Sequence, residues 1–231
     1  MQPYWQNETL TLYCGRAEEV LPTLDLSGVD AFLTDPPYGI NGGRSHKDNY
    51  LMSDWEDTLE AVQCTFGPIV SYMMNTIARG AVTPGKFALM FYPQFQDFGV
   101  FWSPSDQGRG PWGFNAASPI LYYGTSPTNK LGSRPSSYFI QPDKGNIGWH
   151  PCPKPIAAWM WLMSMVSLEG ETIIDPFVGS GTTLVAAQRL QRKAIGIEIE
   201  EKYCEGIVKR LMNETPPLPM PIETQGDLIA G

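Results

Sequence analysis

The 231-residue sequence has few of the residues that metal sites and disulfide frameworks require. It contains 4 cysteines and 2 histidines, and the cysteines lie far apart with no Cys-x-x-Cys pair. Structural zinc sites are built mainly from cysteine and histidine ligands, and disulfide-rich domains from closely spaced cysteines. We therefore expect a reduced protein without a metal.

Long hydrophobic runs are also missing. No stretch of about 18 apolar residues occurs, which excludes an ordinary membrane-spanning helix and predicts no membrane partner. Residues 1–7 lack the basic start and the apolar stretch of a signal peptide, so we expect a cytoplasmic protein. Hydrophobic residues make up 42% and charged residues 17%, a composition typical of a globular domain, here one domain or one with a small insertion.

Positive charge is scarce, because 16 Lys and Arg residues face 24 Asp and Glu residues for a net charge of −8. Nucleic-acid binders are usually basic somewhere, since phosphate contacts supply much of their affinity. Acids dominate residues 7–60, but the balance reverses over residues 98–155, where Asp106 and Asp143 face Arg109, Lys130, Arg134, Lys144 and Lys154. On charge alone, a solvated surface and a modest, salt-sensitive nucleic-acid binder both stay open.

Strand-like and helix-like segments alternate along much of the chain, which predicts an α/β fold with a parallel sheet covered by helices. Strands are predicted over residues 9–14, 29–34, 86–92, 171–174 and 193–197, and helices over 17–24, 58–81, 155–168, 182–190 and 201–212. Helical periodicity is lost between residues 93 and 155, where 118–123 and 137–140 are candidate strands. The tail, residues 215–231, is proline-rich and is expected to be loose.

A glycine-rich segment lies between a predicted strand and a predicted helix, and reads Asp175, Pro176, Phe177, Val178, Gly179, Ser180, Gly181, Thr182, Thr183. Glycines at such a turn let the backbone approach a ligand at the carboxyl edge of the sheet. The next strand ends at Glu198, whose carboxylate can accept hydrogen bonds from ribose hydroxyls. The pattern predicts a nucleoside-cofactor site; the alternative is a tight structural connection.

A second motif, Asp35-Pro36-Pro37-Tyr38, ends another predicted strand. The prolines fix the backbone, so that Asp35 and the Pro36 carbonyl offer two acceptors beside the flat ring of Tyr38. This set suits a planar aromatic amine, whose lone pair becomes available when its two hydrogens are held by fixed acceptors. The alternative is a strand-terminating turn capped by Asp35.

The third motif is His150-Pro151-Cys152-Pro153-Lys154-Pro155, which leads into a predicted helix. Prolines at a helix start are structurally expected, because the missing N–H has no partner there. Taken alone, the motif is therefore equally compatible with a structural role, and His150 reads more readily as a hydrogen-bonded loop residue than as a general base.

Together, in this order, the three motifs resemble the beta class of DNA amino-methyltransferases, and the resemblance covers residues from about 12 to 211. It implies a Rossmann-like, seven-stranded, mostly parallel sheet with helices on both faces, in which the catalytic motif precedes the cofactor motif. It also implies S-adenosylmethionine as methyl donor and DNA as partner, and a homodimer is common in the class. The implied organisation is a catalytic half (residues 1–97), a short target-recognition insertion (98–150), a cofactor half (151–214) and the tail.

The resemblance assigns roles to the motif residues. Asp35, Pro36 and Tyr38 would hold the amino group of an extruded base, which must leave the duplex because the target nitrogen is paired inside it. The donor would be held by Asp175, Phe177, Gly179, Ser180, Gly181, Thr182, Thr183, Glu198, His150, Lys154 and Pro155. Pro37 and the following loop residues Arg44, His46 and Lys47 would contact the substrate DNA. The class often has an acid where this sequence has Arg16, so no donor contact is predicted there.

Three alternatives compete with methylation of adenine N6. Asp as the first residue of the Asp35–Tyr38 motif favours the N6 amino group of adenine, whereas Ser there favours the N4 amino group of cytosine. RNA and protein amide methyltransferases typically carry Asn-Pro-Pro-Tyr in the opposite motif order. An inactive DNA-binding relative is the non-enzymatic alternative, and the intact Asp35, Tyr38, Gly179 and Gly181 argue against it.

Overall fold

A mixed β-sheet with helices on both sides forms the centre of the fold. The computed structural model describes residues 1–40, 57–103, 109–110, 113–114, 116–128, 134–140, 150 and 153–214. Their strands are β1 (Trp5–Gln6), β2 (Leu10–Cys14), β3 (Ala31–Thr34), β4 (Arg79–Val82), β5 (Asp97–Trp102), β6 (Arg109–Gly110), β7 (Gly113–Phe114), β8 (Ala117–Tyr123), β9 (Tyr138–Phe139), β10 (Thr172–Asp175) and β11 (Lys193–Glu198). Nine of them form one sheet in the order β1-β2-β11-β10-β3-β4-β8-β5-β9, and β6 pairs with β7.

Helices cover both faces of this sheet. They are α1 (Ala17–Val20), α2 (Leu59–Ala61), α3 (Gly67–Thr76), α4 (Gly85–Ala88), α5 (Ile156–Val166), α6 (Thr182–Arg189) and α7 (Glu201–Asn213). All four residues of β3 are buried: Ala31 and Leu33 join a core with Trp159 of α5, and Phe32 joins the opposite core with Val70 of α3. Since successive strand side chains point to opposite faces, the sheet has an apolar layer on each side. Among the described residues, no helix is long and apolar enough to cross a bilayer.

The predicted α/β fold with helices on both faces of a mostly parallel sheet is confirmed. Strands β2, β11, β10, β3 and β4 are mutually parallel, and β8 runs antiparallel between β4 and β5. These seven strands are the predicted number. The two-residue strands β1 and β9 extend the sheet at its edges to nine.

The predicted strand over residues 86–92 is wrong. Residues Gly85–Ala88 form α4 and Leu89–Phe91 a 3-10 turn, whereas the strand is β4, which the sequence placed at the end of a helix over 58–81. The apolar run from Ala88 to Phe91 resembles a buried strand, yet Met90 is 91% exposed. The short strand β4 is buried along most of its length, so it shows no alternation that would distinguish it from a helix end.

The described residues between 97 and 139 contribute three strands to the main sheet. The candidate strands over 118–123 and 137–140 are confirmed as β8 and β9, while β5 was not predicted. β5 carries three aromatic residues, Phe98, Phe101 and Trp102. Both strands that pair with it, β8 and β9, come later in the chain. Its pairing therefore depends on contacts that a local pattern does not contain.

Candidate active site

The Asp35–Tyr38 corner and the glycine turn begin where two neighbouring parallel strands end. β3 pairs with β10 in the register Ile173↔Ala31 and Ile174↔Phe32. The hydroxyl of Thr34, the last residue of β3, donates a hydrogen bond of 2.6 Å to Oδ1 of Asp175, the last residue of β10. The two motifs, which are about 140 residues apart in sequence, therefore share one edge of the sheet.

Three donors converge on the carboxylate of Asp35. The Tyr38 hydroxyl donates to Oδ1 over 2.7 Å, and the Thr83 hydroxyl donates to the same oxygen. Lys154 Nζ lies 2.5 Å from Oδ2, and the side chains of Lys154 and Asp35 are each 20% exposed. The carboxylate is thus held in one orientation at a partly closed site, as an acceptor fixed in advance should be.

Tyr38 is the second anchor of this corner. Its hydroxyl accepts a hydrogen bond of 2.9 Å from Lys154 Nζ while it donates to Asp35. Burial, and then the charge of Asp35, raise the pKa of the phenol well above its usual value, so it remains a neutral donor. Pro36 is buried and Pro37 is half-buried between these two residues.

The glycine turn leaves β10 with its backbone in a left-handed conformation. Gly179 has φ of +54°, and a Cβ there would lie 3.3 Å from Nε2 of His150. The amide of Gly179 donates a 2.9 Å hydrogen bond to Glu198 Oε2. Gly181, at φ +79°, is the N-cap of α6. The turn therefore needs glycine at 179 both for its backbone angle and for the narrow space beside it.

Four polar residues predicted to hold the donor lie beneath this turn and bond to the protein. Asp175 is 1% exposed; it accepts from Thr34, from the Phe177 amide at 3.0 Å and from the Thr183 hydroxyl at 2.5 Å. The Ser180 and Thr182 hydroxyls lie 2.9 Å apart and are also buried. Burial raises the pKa of Asp175 to about 6 in spite of these bonds. This arrangement makes them supports of the turn.

Trp159 and Phe177 complete that support. Trp159 Nε1 donates to Thr183 Oγ1 over 2.7 Å, which ties α5 to the start of α6. Phe177, which is half-buried, packs edge-on against Phe66 with ring centroids 5.2 Å apart. The position of the turn is thus determined by both cores of the fold.

Glu198 ends β11, the strand beside β10, and is 6% exposed. Its Oε2 accepts from Gly179 and its Oε1 accepts from the Glu200 amide, each over 2.9 Å. Burial raises the pKa of this carboxyl to about 7, and the negative charges of Glu200 and Asp175 add to the shift. Each carboxylate oxygen can accept two hydrogen bonds, so both have one acceptor position that no described residue occupies.

His150 and Lys154, both from the third motif, contact different parts of the site. The imidazole of His150 lies beside Gly179 and packs against the Tyr203 ring at 4.7 Å between centroids. Burial and the nearby charge of Lys154 lower the pKa of His150 to about 4, which keeps it neutral at pH 7. Lys154, which the sequence predicts to bind the donor, contacts Asp35 and Tyr38. Pro155, half-buried, is the N-cap of α5.

Three predicted positions cannot be placed, and two residues beside the Asp35–Tyr38 corner were not predicted. Arg44, His46 and Lys47 lie outside the described residues. Arg16 forms an exposed ion pair of 3.0 Å with Glu18. The missed residues, Thr83 and Gly85, follow β4, and locating that strand correctly would have placed them at the same sheet edge as Asp35.

The comparison with known families identifies the family of this chain. The family model of the N6/N4 DNA methylases matches residues 92–210, about half of the chain. The chain belongs to this family. As a DNA methylase of the N6/N4 family it uses S-adenosylmethionine as methyl donor, and the predicted resemblance is confirmed. It is 26% identical to the type II methyltransferase M.HpaI of Haemophilus parainfluenzae, over 88% of this chain and 74% of that protein.

Solved structures share the fold of this methylase. The PvuII DNA methyltransferase, described as cytosine-N4-specific, has a TM-score of 0.68 at 15% identity, covering 93% of this chain and 91% of that one. The complex of M1.HpyAVI with S-adenosylmethionine has a TM-score of 0.62 at 20% identity, covering 87% and 98%. At such identities the likeness establishes the architecture, and the roles of individual side chains depend on the geometry described above.

Proposed function

We propose that this methylase transfers the methyl group of S-adenosylmethionine to the N6 amino nitrogen of adenine in DNA, after the base has left the duplex. The observation that carries the proposal is the position of the Asp35–Tyr38 corner directly beside the glycine turn, joined to it by the 2.6 Å bond from Thr34 to Asp175. Asp as first residue of the corner favours adenine. Cytosine N4 is the second candidate, because the cytosine-N4-specific PvuII enzyme has the same fold.

The catalytic corner prepares the amino group for attack. An aromatic amine is a poor nucleophile because its lone pair is delocalised into the ring. In the proposed complex, Asp35 and the Pro36 carbonyl accept its two hydrogens and draw the nitrogen toward tetrahedral geometry, while the base stacks on Tyr38. Because Lys154 already holds the Asp35 carboxylate at 2.5 Å, this acceptor needs little reorganisation when the base arrives.

The residues around the glycine turn fit the donor. Glu198 retains acceptor positions for ribose hydroxyls, and Gly179 presents backbone without a side chain on the approach path. His150 is uncharged at pH 7, so it does not repel a sulfonium. Phe177 and Pro155 are half-buried beside these groups. Asp175, Ser180, Gly181, Thr182 and Thr183 act by holding the turn in place.

When bound, S-adenosylmethionine would supply an electrophilic methyl group on its sulfonium, so that an N–C bond would replace the C–S bond and its electron pair would remain on sulfur. The protein's task is alignment of nitrogen, carbon and sulfur. The methylated nitrogen is cationic and loses one proton to water, so no strong base is required. This agrees with an Asp35 carboxylate engaged by three donors and with a neutral His150.

The DNA contacts belong to the same proposal. The corner cannot reach the target amino group while the base is stacked inside the duplex, so extrusion precedes the reaction. Pro37, Arg44, His46 and Lys47 would hold the strand around the extruded base, and residues 98–150 would read the neighbouring sequence. Because such binding would depend on contacts between basic side chains and phosphates, it should weaken as the salt concentration rises.

The test is to incubate the protein with labelled donor and duplex DNA, digest the DNA to nucleosides and separate them. Label in N6-methyldeoxyadenosine is expected. Label in deoxycytidine would refute adenine in favour of cytosine N4, and label in neither would support the inactive relative.

Asp35→Ala tests the role of the corner in the same assay. We expect it to abolish transfer and to leave donor binding within about twofold of the parent, because the carboxylate serves the amine. Asp25→Ala, at an exposed carboxylate that bonds only to Ser27 within the described part of the chain, is the matched control and should retain activity. Loss of donor binding together with transfer would contradict the assignment.

A further inference from the structure

The turn Thr83-Pro84-Gly85, which belongs to none of the three sequence motifs, lies on a third side of the Asp35–Tyr38 corner. It follows β4, which lies parallel to β3 with Thr34 opposite Val82. The Thr83 amide donates a 3.1 Å hydrogen bond to the Thr34 carbonyl, which continues the pairing one residue beyond the strand. Thr83 is 2% exposed and is therefore fixed beside Asp35.

The Thr83 hydroxyl determines which oxygen of Asp35 is available. It donates to Oδ1, the oxygen that also accepts the Tyr38 hydroxyl at 2.7 Å. A carboxylate oxygen has two lone pairs, so these two donors fill Oδ1. Oδ2 accepts only Lys154 among the described residues and has one acceptor position left. An incoming amine should therefore bond to Oδ2.

Gly85 fixes the ring of Tyr38 from the same turn. Its φ is +67°, and a Cβ there would lie 2.6 Å from Cγ and 2.8 Å from Cδ1 of Tyr38. The Gly85 backbone thus packs directly against the tyrosine ring, and only glycine combines this backbone angle with so close an approach. A base that stacks on Tyr38 must use the part of the ring that Gly85 leaves open.

We propose that Thr83 is a positioning residue for methyl transfer: by occupying Oδ1 of Asp35 together with Tyr38, it directs Oδ2 toward the amino group of the base. Gly85 positions Tyr38 in the same way. The inference rests on the proposed function, since it assigns the acceptor of that reaction. It holds for adenine and for cytosine alike.

Thr83→Val, which removes the hydroxyl and keeps the shape, tests this role against Thr83→Ser, which retains the donor. We expect Val to lower kcat about 10- to 100-fold, the usual effect of losing a hydrogen bond to a charged group, and to leave the donor Kd and the KM for DNA within about twofold. Ser should recover kcat to within about threefold. Thr76→Val, which loses the 2.8 Å hydroxyl bond to the Tyr72 carbonyl on the surface of α3, should match the parent.

An unchanged kcat in Thr83→Val would overturn the proposal, as would equal losses in the Val and Ser variants. Donor binding and Tm, measured on the same preparations, identify a folding defect, and a kcat that falls only in proportion to the folded fraction also counts against it. If the parent protein labels no base, the proposed function has failed instead. Label in deoxycytidine leaves the Thr83 comparison fully interpretable.

Discussion

Donor binding should depend on pH through Glu198, whose carboxylate is 6% exposed and whose pKa is raised to about 7, mainly by burial. The Gly179 and Glu200 amides take one acceptor position on each oxygen. The remaining positions suit the two ribose hydroxyls only when the group is ionised, because a protonated carboxyl loses an acceptor and gains a donor. The carboxylate form prevails above pH 7, so donor affinity should be lost as the pH falls through 7.

The size of the effect follows from the ionised fraction. With a pKa of about 7, roughly nine-tenths of the Glu198 carboxyls are ionised at pH 8 and roughly one-tenth at pH 6. If only the carboxylate binds, affinity falls about tenfold over that interval. The Glu198→Gln variant has no ionisable group at this position. Its donor affinity should therefore be lower than that of the parent at pH 8 and should not change with pH through residue 198.

Isothermal titration of the donor into both proteins at pH 6, 7 and 8 measures the effect. The donor's own ionisations affect both proteins, so the ratio of the two Kd values at each pH isolates the contribution of Glu198. That ratio should approach one as the pH falls. A constant ratio, or a parent affinity that rises toward pH 6, would refute the assignment of Glu198 as the ribose acceptor.

Three further predictions concern the turn and the core. Gly179→Val should weaken donor binding at least about tenfold by titration, since φ is +54° and the space beside residue 179 is narrow. Gly170→Val is the control: its φ is +81°, but a Cβ there would have no atom within 4 Å, so this variant should bind the donor normally. Gly80→Ala should lower the free energy of unfolding by about 1–3 kcal/mol in urea, because its Cβ would lie 2.4 Å from Cγ of Phe32; an unchanged midpoint would contradict this packing. The pKa of Asp175 is raised to about 6, so folding takes up a proton between pH 4 and 6, and the contribution of this proton to stability is present at pH 4 and lost as the pH rises through 6. In urea titrations, the free energy of unfolding of the parent minus that of Asp175→Asn should therefore fall over this range. A difference independent of pH would refute this prediction.

The motifs were readable from sequence because each depends on a short, local pattern. Two prolines fix the backbone after Asp35 wherever the chain runs, and glycine at 179 is required by a local backbone angle of φ +54°. Strand and helix boundaries near the glycine turn were predicted to within two residues, since periodicity and caps agree there. Local chemistry therefore indicated the α/β class and the family.

The tertiary structure decided which of these groups meet. Lys154 leads into a helix in the sequence, and its contacts with Asp35 at 2.5 Å and with the Tyr38 hydroxyl at 2.9 Å are visible only in the tertiary structure. Thr83 and Gly85 have no motif of their own, because their role arises from the position of β4 beside β3. The sequence alone thus determined the turns and the kinds of side chain they carry. Pairing between distant strands, which burial of both sheet faces stabilises and no short segment encodes, decided how those side chains form one site.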